Sequence, residues 1–379
     1  MEDLKVAYVY NRFLTLMPSN LSSACMNRSE AAMDKPIFVV GPSRSGTTMM
    51  CELLNGHRNV NIAPETHYFD DLRTLFEAPD TKVLAGAELR RVQDYFLAQT
   101  HRPFGHCGEA EKGWMNRSDL AALADKRGGT ADAYFEAYVM MAADDEVVSI
   151  FGEKTPRHVF RIADIFKRYP DARIVGMLRD PRAVTVSYRD WRNQGGFDLE
   201  ADPDHAEILE EEMHRARKSY HPVILAMLWR GQAGSMLKAA REFGPEQVYI
   251  QKYEDLVADP ESQARKLCDW LGLDFGQNML NVAMSNSSFS GVNNGQGVSK
   301  EAVERWKSHL DDTEIALIQS VAKSRMIEAG YELEPVSPSL AGRMASYGSF
   351  PLALGRSFAA NKDRIGNPVS YIAQRLKNL

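Results

Sequence analysis

The side chains best suited to chemistry lie in one short segment, residues 36–48, which reads PIFVVGPSRSGTT. The apolar run at 37–40 predicts a strand buried on both faces, and Thr47 starts an apolar run that predicts a helix. Between them, a loop bounded by Gly41 and Gly46 would point backbone N–H groups and the positive end of a helix dipole at one place. We therefore predict that this loop binds an anion, most naturally a phosphate group.

The loop has the spacing of a Walker A motif, G-x-x-x-x-G-K-[ST], but it lacks the lysine of that motif. Gly41, Gly46 and Thr48 match the Gly, Gly and Ser/Thr positions, and Thr47 stands where the lysine is expected. That lysine reaches the β- and γ-phosphates of a nucleoside triphosphate, so its absence argues against ATP or GTP hydrolysis. Arg44 brings a cation into the loop instead. The alternative interpretation is an ordinary turn between a strand and a helix.

A carboxylate follows the next predicted strand, the short run VNIA at residues 60–63. In an open parallel sheet, ligands gather just outside the carboxyl ends of the strands. Glu65 is therefore a candidate general base that faces the loop, and His67 is its competitor for that role. A solvated loop carboxylate or a helix N-cap is the alternative interpretation of Glu65.

Two cations are expected at the same edge of the sheet. Lys154 follows a short predicted strand, where a lysine could neutralise charge that grows on a leaving group, although an ordinary surface lysine is the alternative. Arg179 closes the buried-type strand 173–178, and Ser187 lies about two turns into the helix that follows. Because Ser187 is on the face that points back toward the start of that helix, Arg179 and Ser187 are expected to bind one anion together.

Composition indicates a soluble α/β protein with a full core. The chain has 379 residues, of which 44% are hydrophobic and 25% are charged. The net charge of −6 gives no reason to expect a nucleic acid as partner. The histidine, cysteine and acidic residues that are close in sequence fit no familiar pattern of metal ligands, so no metal site is predicted. These residues are His101, His106, Cys107 and Glu109.

The chain divides into three predicted parts. Residues 1–34 are expected to form an N-terminal helical segment without the features of a signal peptide. Residues 35–334 form the main domain, in which 85–145 is a helical insertion and 194–221 is a charged surface helix or a mobile lid. Residues 335–379, with Pro, Gly and Ser breaks, form a C-terminal arm that could make a homo-oligomer contact. No segment is apolar enough to span a membrane, and a cytoplasmic location is expected.

Four segments in order along the chain resemble the PAPS-dependent sulfotransferases. They are GPSRSGTT, APETHYF, LRDPRAVTVSYRDW, and QKYEDLVADP with a later RW. The four motifs extend the resemblance over roughly residues 36–330. The resemblance is closest to the branch of the family that includes bacterial, protein-tyrosine and carbohydrate sulfotransferases. It implies a three-layer α/β fold like that of the P-loop NTPases, with a central, mainly parallel sheet flanked by helices and with helical insertions.

The resemblance also implies a role for each candidate residue. Glu65 would be the general base, and Lys154 or Arg44 would steady the charge on the departing phosphate oxygen. Arg179 and Ser187 would hold the 3′-phosphate of PAPS, whose product is 3′,5′-adenosine bisphosphate, with no metal required. The implied contacts to the 5′-phosphosulfate are Ser43, Arg44, Ser45, Gly46, Thr47 and Thr48, and the further donor contacts are Tyr253 and Lys300.

Two alternative functions remain open at this point, and so does the identity of the acceptor. A P-loop kinase that uses ATP and Mg²⁺ would leave Arg179 and Ser187 unexplained, and a silent nucleotide-binding scaffold would bind the bisphosphate without turnover. The acceptor hydroxyl could belong to a phenol, a peptide tyrosine, a sugar or a lipid-linked glycan, and an amine is a further option. Candidate pocket-lining aromatic residues are Tyr68, Phe69, Trp114 and Trp191.

Overall fold

A parallel sheet of five short strands lies at the centre of the computed structural model, which describes residues 33, 35–77, 80–101, 110–143, 147–194, 206–281 and 301–362. The strands are β1 (Ile37–Val40), β2 (Val60–Ala63), β3 (Ile150–Lys154), β4 (Arg173–Leu178) and β5 (Val248–Lys252). Their order across the sheet is β2-β3-β1-β4-β5, and every neighbouring pair is parallel.

Helices connect the strands and cover both faces of the sheet. They are α1 (Thr47–Asn55), α2 (Gly86–Gln99), α3 (Arg117–Lys126), α4 (Ala131–Met141), α5 (Ile162–Arg168), α6 (Pro181–Gln194), α7 (Ala206–Ser219), α8 (Pro222–Phe243), α9 (Tyr253–Ala258), α10 (Pro260–Leu271), α11 (Glu301–Glu304), α12 (Trp306–His309), α13 (Asp312–Glu328) and α14 (Leu340–Ala360). Short 3₁₀ turns occur at Arg73–Leu75, Ala110–Lys112, Pro156–Phe160 and Gln277–Leu280, and a π turn at Tyr68–Leu72. Within the described part of the chain, no helix has both the length and the hydropathy needed to cross a bilayer.

The alternation of side chains along β1 shows why the sheet is buried on both faces. Ile37 and Val39 pack on one face, in the core that α1, α9 and α10 complete. Phe38 and Val40 pack on the other face, where the ring of Phe38 stacks against Phe135 of α4 at a centroid distance of 6.3 Å. A strand in such a position can carry apolar residues throughout. The expected α/β fold, with a central parallel sheet between layers of helices, is confirmed.

Two segments differ from the sequence-based expectation. Pro156 suits the first position of a helix, so the sequence predicts one helix from there through Tyr169. The chain instead forms a 3₁₀ turn over Pro156–Phe160 and then α5. The break occurs because the His158 ring turns inward to the buried carboxylate of Glu153, with 3.1 Å between Nδ1 and Oε2. The C-terminal arm, expected to be broken by Pro, Gly and Ser, contains the 21-residue helix α14, which packs against α7 and α13. The N-terminal segment predicted for 1–34 lies, apart from Met33, outside the described residues.

Gly152 allows β1, β2 and β3 to pack closely, and its replacement gives a first prediction. A Cβ there would lie 2.1 Å from the Ile37 carbonyl oxygen and 2.6 Å from Ile62 Cδ1. We expect Gly152→Ala to lower the free energy of unfolding, measured by urea titration, by about 1–3 kcal/mol. The control is Gly276→Ala, because no atom lies within 4 Å of its added Cβ. Equal stability of Gly152→Ala and the unmodified protein would contradict this account.

Candidate active site

The loop after β1 requires its two glycines for reasons of space as well as backbone conformation. Gly41 has φ +144°, and a Cβ on it would lie 2.3 Å from the carbonyl oxygen of Met177 in β4. Gly46 has φ +88°, and a Cβ on it would lie 2.7 Å from the ring of Tyr253. Both positions therefore exclude other residues. The predicted loop is present, and Tyr253, predicted from a distant motif, lies directly against it.

Arg44 connects the loop to Arg179 and Ser187, the two residues predicted to bind an anion together. Its Nε donates a hydrogen bond to Ser187 Oγ at 3.1 Å, and its carbonyl oxygen accepts one from Arg179 Nη1 at 3.2 Å. The Arg179 guanidinium also lies over the ring of Tyr253, 4.2 Å from the ring centroid. The structure thus brings together four candidate residues, one each from the chain just after β4, from α6, from α9 and from the loop itself.

Burial and like charge make this cluster favourable for an anion. The pKa of Arg44 is lowered to about 10, mainly by burial; the nearby Tyr188 opposes this change, and the positive charge of Arg179 contributes to it. Ser45 Oγ is buried and has no hydrogen-bond partner among the described residues. The helix α1 has Gly46 as its N-cap and therefore lacks a side-chain cap, so its first N–H groups face the loop. These features together form a cradle for a negatively charged group.

An ion pair links the two other predicted groups. Lys154 Nζ lies 2.6 Å from Glu65 Oε1, and His67 Nε2 lies 3.4 Å from Glu65 Oε2. Burial alone would raise the pKa of Glu65, but the Lys154 charge and the His67 hydrogen bond outweigh it and hold that pKa well below its usual range. Burial opposes the charged form of Lys154 in the same way, and Glu65 more than compensates, so the pKa of Lys154 is raised. Both groups are therefore ionised near neutral pH.

Backbone strain is concentrated in the same two loops. Of the described non-glycine residues, only Arg44 (φ 67°) and His67 (φ 54°) have positive φ. One lies in the loop after β1 and the other in the loop after β2, at the carboxyl edge of the sheet. Left-handed conformations of such residues are unfavourable, and they persist where the surrounding structure imposes them, often at functional sites.

A buried network that the sequence did not reveal holds the loop that carries Glu65. The fully buried carboxylate of Glu153 accepts hydrogen bonds from the Thr66 backbone N–H at 2.8 Å, from Thr66 Oγ at 2.9 Å, and from the Thr155 hydroxyl. His158 Nε2 accepts from the Phe69 N–H at 3.2 Å, which assigns the ring proton to Nδ1, facing Glu153. These contacts join the end of β3 to the chain after β2.

Tyr188 is a second group that sequence reasoning did not assign, although it follows Ser187 in a quoted motif. Burial raises the pKa of its hydroxyl, which is close to Ser43 in the loop, and Ser43 opposes that rise. Among its charged neighbours, Arg44 also opposes the rise in pKa while Glu65 adds to it. Tyr188 is therefore near enough to both Arg44 and Glu65 for their charges to affect it. The signal that could have found it is its position next to Ser187 on the same helix.

Other predicted residues are placed elsewhere. Tyr68 and Phe69 are buried in the core and do not line a pocket; the Tyr68 hydroxyl donates to Asp132 at 2.6 Å. Trp114 borders a cavity of about 440 Å³ beside α2 and α3. In the described residues, no group of three or more His, Cys, Asp or Glu side chains is arranged to hold a metal ion. Lys300, His106, Cys107, Glu109 and the side chain of Trp191 lie outside what the structure describes.

The fold and the loop together define a class of protein. A parallel sheet with a glycine-bounded loop between β1 and α1 is the architecture of P-loop proteins, and here the loop has an arginine but lacks the lysine of the triphosphatases. Residues 36–277 match the family model described as the Sulfotransferase family. The chain belongs to this family and is an enzyme that transfers a sulfuryl group. The resemblance inferred from the four motifs is confirmed.

Three relatives show how widely the family has diverged. The nodulation protein NoeE of Sinorhizobium fredii (strain NBRC 101917 / NGR234) is 24% identical over 81% of this chain and 68% of its own length. Protein-tyrosine sulfotransferase A of Caenorhabditis elegans is 22% identical over 76% of this chain and 64% of its own. The omega-hydroxy-beta-dihydromenaquinone-9 sulfotransferase Stf3 of Mycobacterium bovis is 26% identical over 63% of each chain. This chain thus spans less than two thirds of the length of two of these relatives.

The Glu153 network gives a prediction on stability and pH. Because the folded-state pKa of Glu153 is lowered, despite burial, by His158 and the hydrogen bonds it accepts, its contribution is fully present above the unfolded-state value of about 4.3. That contribution is lost as the pH falls through the folded-state pKa. We expect Glu153→Gln to lower the free energy of unfolding at pH 7 by about 1–3 kcal/mol, with the difference shrinking below a pH of about 4.3.

The measurement is urea unfolding of both proteins between about pH 7 and pH 3. Glu261→Gln is the control, because its carboxylate pairs with Arg265 on the exposed surface of α10 and should change stability by less than about 1 kcal/mol. A Glu153→Gln protein whose deficit stays constant from neutral to acid pH would exclude the charged network.

Proposed function

We propose that this enzyme transfers the sulfuryl group of 3′-phosphoadenylyl sulfate (PAPS) to an acceptor hydroxyl by in-line displacement. When bound, PAPS supplies an activated sulfuryl group whose leaving group is a 5′-phosphate. The observation that carries the proposal is the connection of two cations, Arg44 and Arg179, through the Arg44 carbonyl. Two adjacent guanidinium groups suit a donor that bears anions at both its 5′ and its 3′ positions.

The residues around the loop fit such a donor. The unpartnered Ser45 hydroxyl, the uncapped start of α1 and the absence of a side chain at Gly46 favour a tetrahedral anion in the loop. Arg179 and Ser187 would hold the 3′-phosphate, with the Tyr253 ring behind the guanidinium. The residues proposed to hold the 5′-phosphosulfate are Ser43, Arg44, Ser45, Gly46, Thr47 and Thr48.

Glu65 is proposed as the general base. It is ionised near neutral pH, it lies at the carboxyl edge of the sheet, and about a third of its side chain is exposed to an incoming acceptor. It would remove the proton of the acceptor hydroxyl as the oxygen attacks sulfur opposite the leaving phosphate. His67 supports the orientation of the carboxylate through its contact with the second oxygen. General bases of this kind contribute about 10²–10⁴-fold to a rate.

Lys154 is proposed to act in both halves of the reaction. Paired with Glu65, it keeps the carboxylate charged but makes it a weak base, because a low pKa means a low affinity for protons. When the ammonium group turns toward negative charge on the leaving oxygen, Glu65 loses its partner and its affinity for the acceptor proton rises. The movement of one cation would therefore couple proton removal to stabilisation of the leaving group.

The proposed acceptor is a hydroxyl group, and its identity is set by parts of the chain outside the donor site. Among the relatives, the names of two specify acceptors as different as protein tyrosine and a hydroxylated menaquinone. We propose that residues 35–334 form the catalytic domain, with the helices α2–α4 of the 85–145 insertion on the acceptor side. Loops on a shared scaffold commonly supply such specificity.

Glu65→Gln tests the base. We expect the turnover number for sulfuryl transfer, measured with an accepted phenol or sugar, to fall by about 10²–10⁴-fold while the Kd for 3′,5′-adenosine bisphosphate stays within about twofold. The matched variant His67→Gln removes the neighbouring group and should lose far less turnover. The opposite ranking of the two variants would assign the base to His67.

Thermal shift tests the donor site independently of any acceptor. At about 100 times its Kd, 3′,5′-adenosine bisphosphate should stabilise the protein by about 2.7 kcal/mol, and AMP should stabilise it much less. Arg179→Ala should abolish this preference, whereas Arg265→Ala, which removes an exposed arginine of α10, should preserve it. Greater stabilisation by ATP with Mg²⁺ than by the bisphosphate would overturn the sulfotransferase donor and favour a kinase.

A further inference from the structure

The helix α14 displays an unusual concentration of exposed apolar residues. Of nine large hydrophobic side chains exposed in the described part of the chain, four belong to this one helix. Leu340, Met344 and Leu352 are each about two thirds or more exposed, at 73%, 67% and 67%, and Tyr347 is 44% exposed. Positions 340, 344 and 347 follow the four- and three-residue spacing of a single helix face.

The opposite face of α14 is fixed to the protein. Ala353 is buried, and Ser349 Oγ lies 3.4 Å from Nε2 of His221, whose ring also contacts Phe350 at a centroid distance of 5.8 Å. Beyond the end of the helix, Asn361 Nδ2 donates to Ser219 Oγ at 2.8 Å. A further contact, between the Tyr347 hydroxyl and Ser320 Oγ of α13 at 3.0 Å, anchors one edge of the helix. Together these contacts hold the helix against α7, the start of α8 and α13, and they leave Leu340, Met344 and Leu352 exposed.

The charge of this region is opposite to that of the remaining chain. Residues 340–379 contain six Lys or Arg and one Asp, a net charge of +5, so the preceding 339 residues carry −11. The helix itself has no acidic residue, and Arg356 and Lys362 are exposed. A basic, amphipathic helix with large apolar side chains is suited to the boundary between headgroups and acyl chains of an anionic bilayer.

We propose that α14 docks the enzyme on the surface of a membrane that contains anionic lipids. Leu340, Met344 and Leu352 would enter the headgroup boundary, while Arg356 and Lys362 contact lipid phosphates. A symmetric α14–α14 contact with a second copy fits less well, because the facing helix would also lack acidic residues and could not pair with the positive charge. The anchoring contacts leave α14 on the domain surface, so docking requires no rearrangement of the fold.

Vesicle sedimentation of the full chain tests this proposal. We expect binding to phosphatidylcholine vesicles that contain roughly one third phosphatidylglycerol, little binding to pure phosphatidylcholine, and a decrease as salt rises from about 0.1 to about 1 M. The double variant Met344→Glu with Leu352→Glu should reduce the bound fraction by about tenfold at equal lipid. Its melting temperature and its affinity for 3′,5′-adenosine bisphosphate should be unchanged.

The control is Leu75→Glu with Val83→Glu, which changes two exposed apolar residues outside α14 and should leave vesicle binding intact. Equal loss in both double variants, or no vesicle binding by the unmodified protein, would overturn the proposal. Light scattering tests the other possible partner of this face, a second copy of the chain. If the unmodified protein is a dimer that does not bind vesicles, and the Met344→Glu, Leu352→Glu variant is a monomer, the face belongs to a dimer contact.

Discussion

The salt bridge between Lys154 and Glu65 imposes the main constraint on this site, because one ammonium group cannot fully neutralise two anions at once. Lys154 is paired with the Glu65 carboxylate 2.6 Å away, and the pair keeps the largely buried ammonium group charged. An anion that draws Lys154 away must compensate for the loss of that pair. In the proposed reaction this compensation comes as negative charge grows on the leaving oxygen, so the same cation controls when Glu65 becomes an effective base.

The anion cradle stores unfavourable free energy that a ligand can relieve. Arg44 is in a left-handed conformation, and its guanidinium is disfavoured by burial and by the charge of Arg179. The fold offsets this cost with contacts behind the site, such as the hydrogen bond from Trp229 Nε1 to the Arg179 carbonyl at 2.8 Å. An anion between the two cations would remove their repulsion. The arrangement therefore favours binding of anions over retention of water.

Elements made by neighbouring residues could be predicted, and those made by distant residues could not. The strand and glycine loop around Arg44 are local patterns, so the element follows from the sequence, and an anion remains the predicted ligand. In contrast, nothing in the sequence around Glu153 distinguishes it from the other acidic residues. Its role depends on Thr66 and His158, which come close to it only in the folded chain. Tyr68 was a reasonable candidate for a pocket, but its stacking against Phe135 of α4, 4.6 Å away, makes it part of the core.

Two parts of this acidic protein carry cations that could attract anions, and the two parts differ in how strongly salt affects them. Over most of its length the chain carries −11, which repels polyanions at long range, so a small anion must be captured by cations close to it. In the proposed donor site, Arg44 and Arg179 would meet this need because burial protects their attraction from screening by salt. Arg356 and Lys362 of the C-terminal region are exposed and act through the surrounding solution, where salt weakens their attraction for anions. Donor binding and the proposed membrane docking thus depend on different electrostatic conditions, and each can vary without loss of the other.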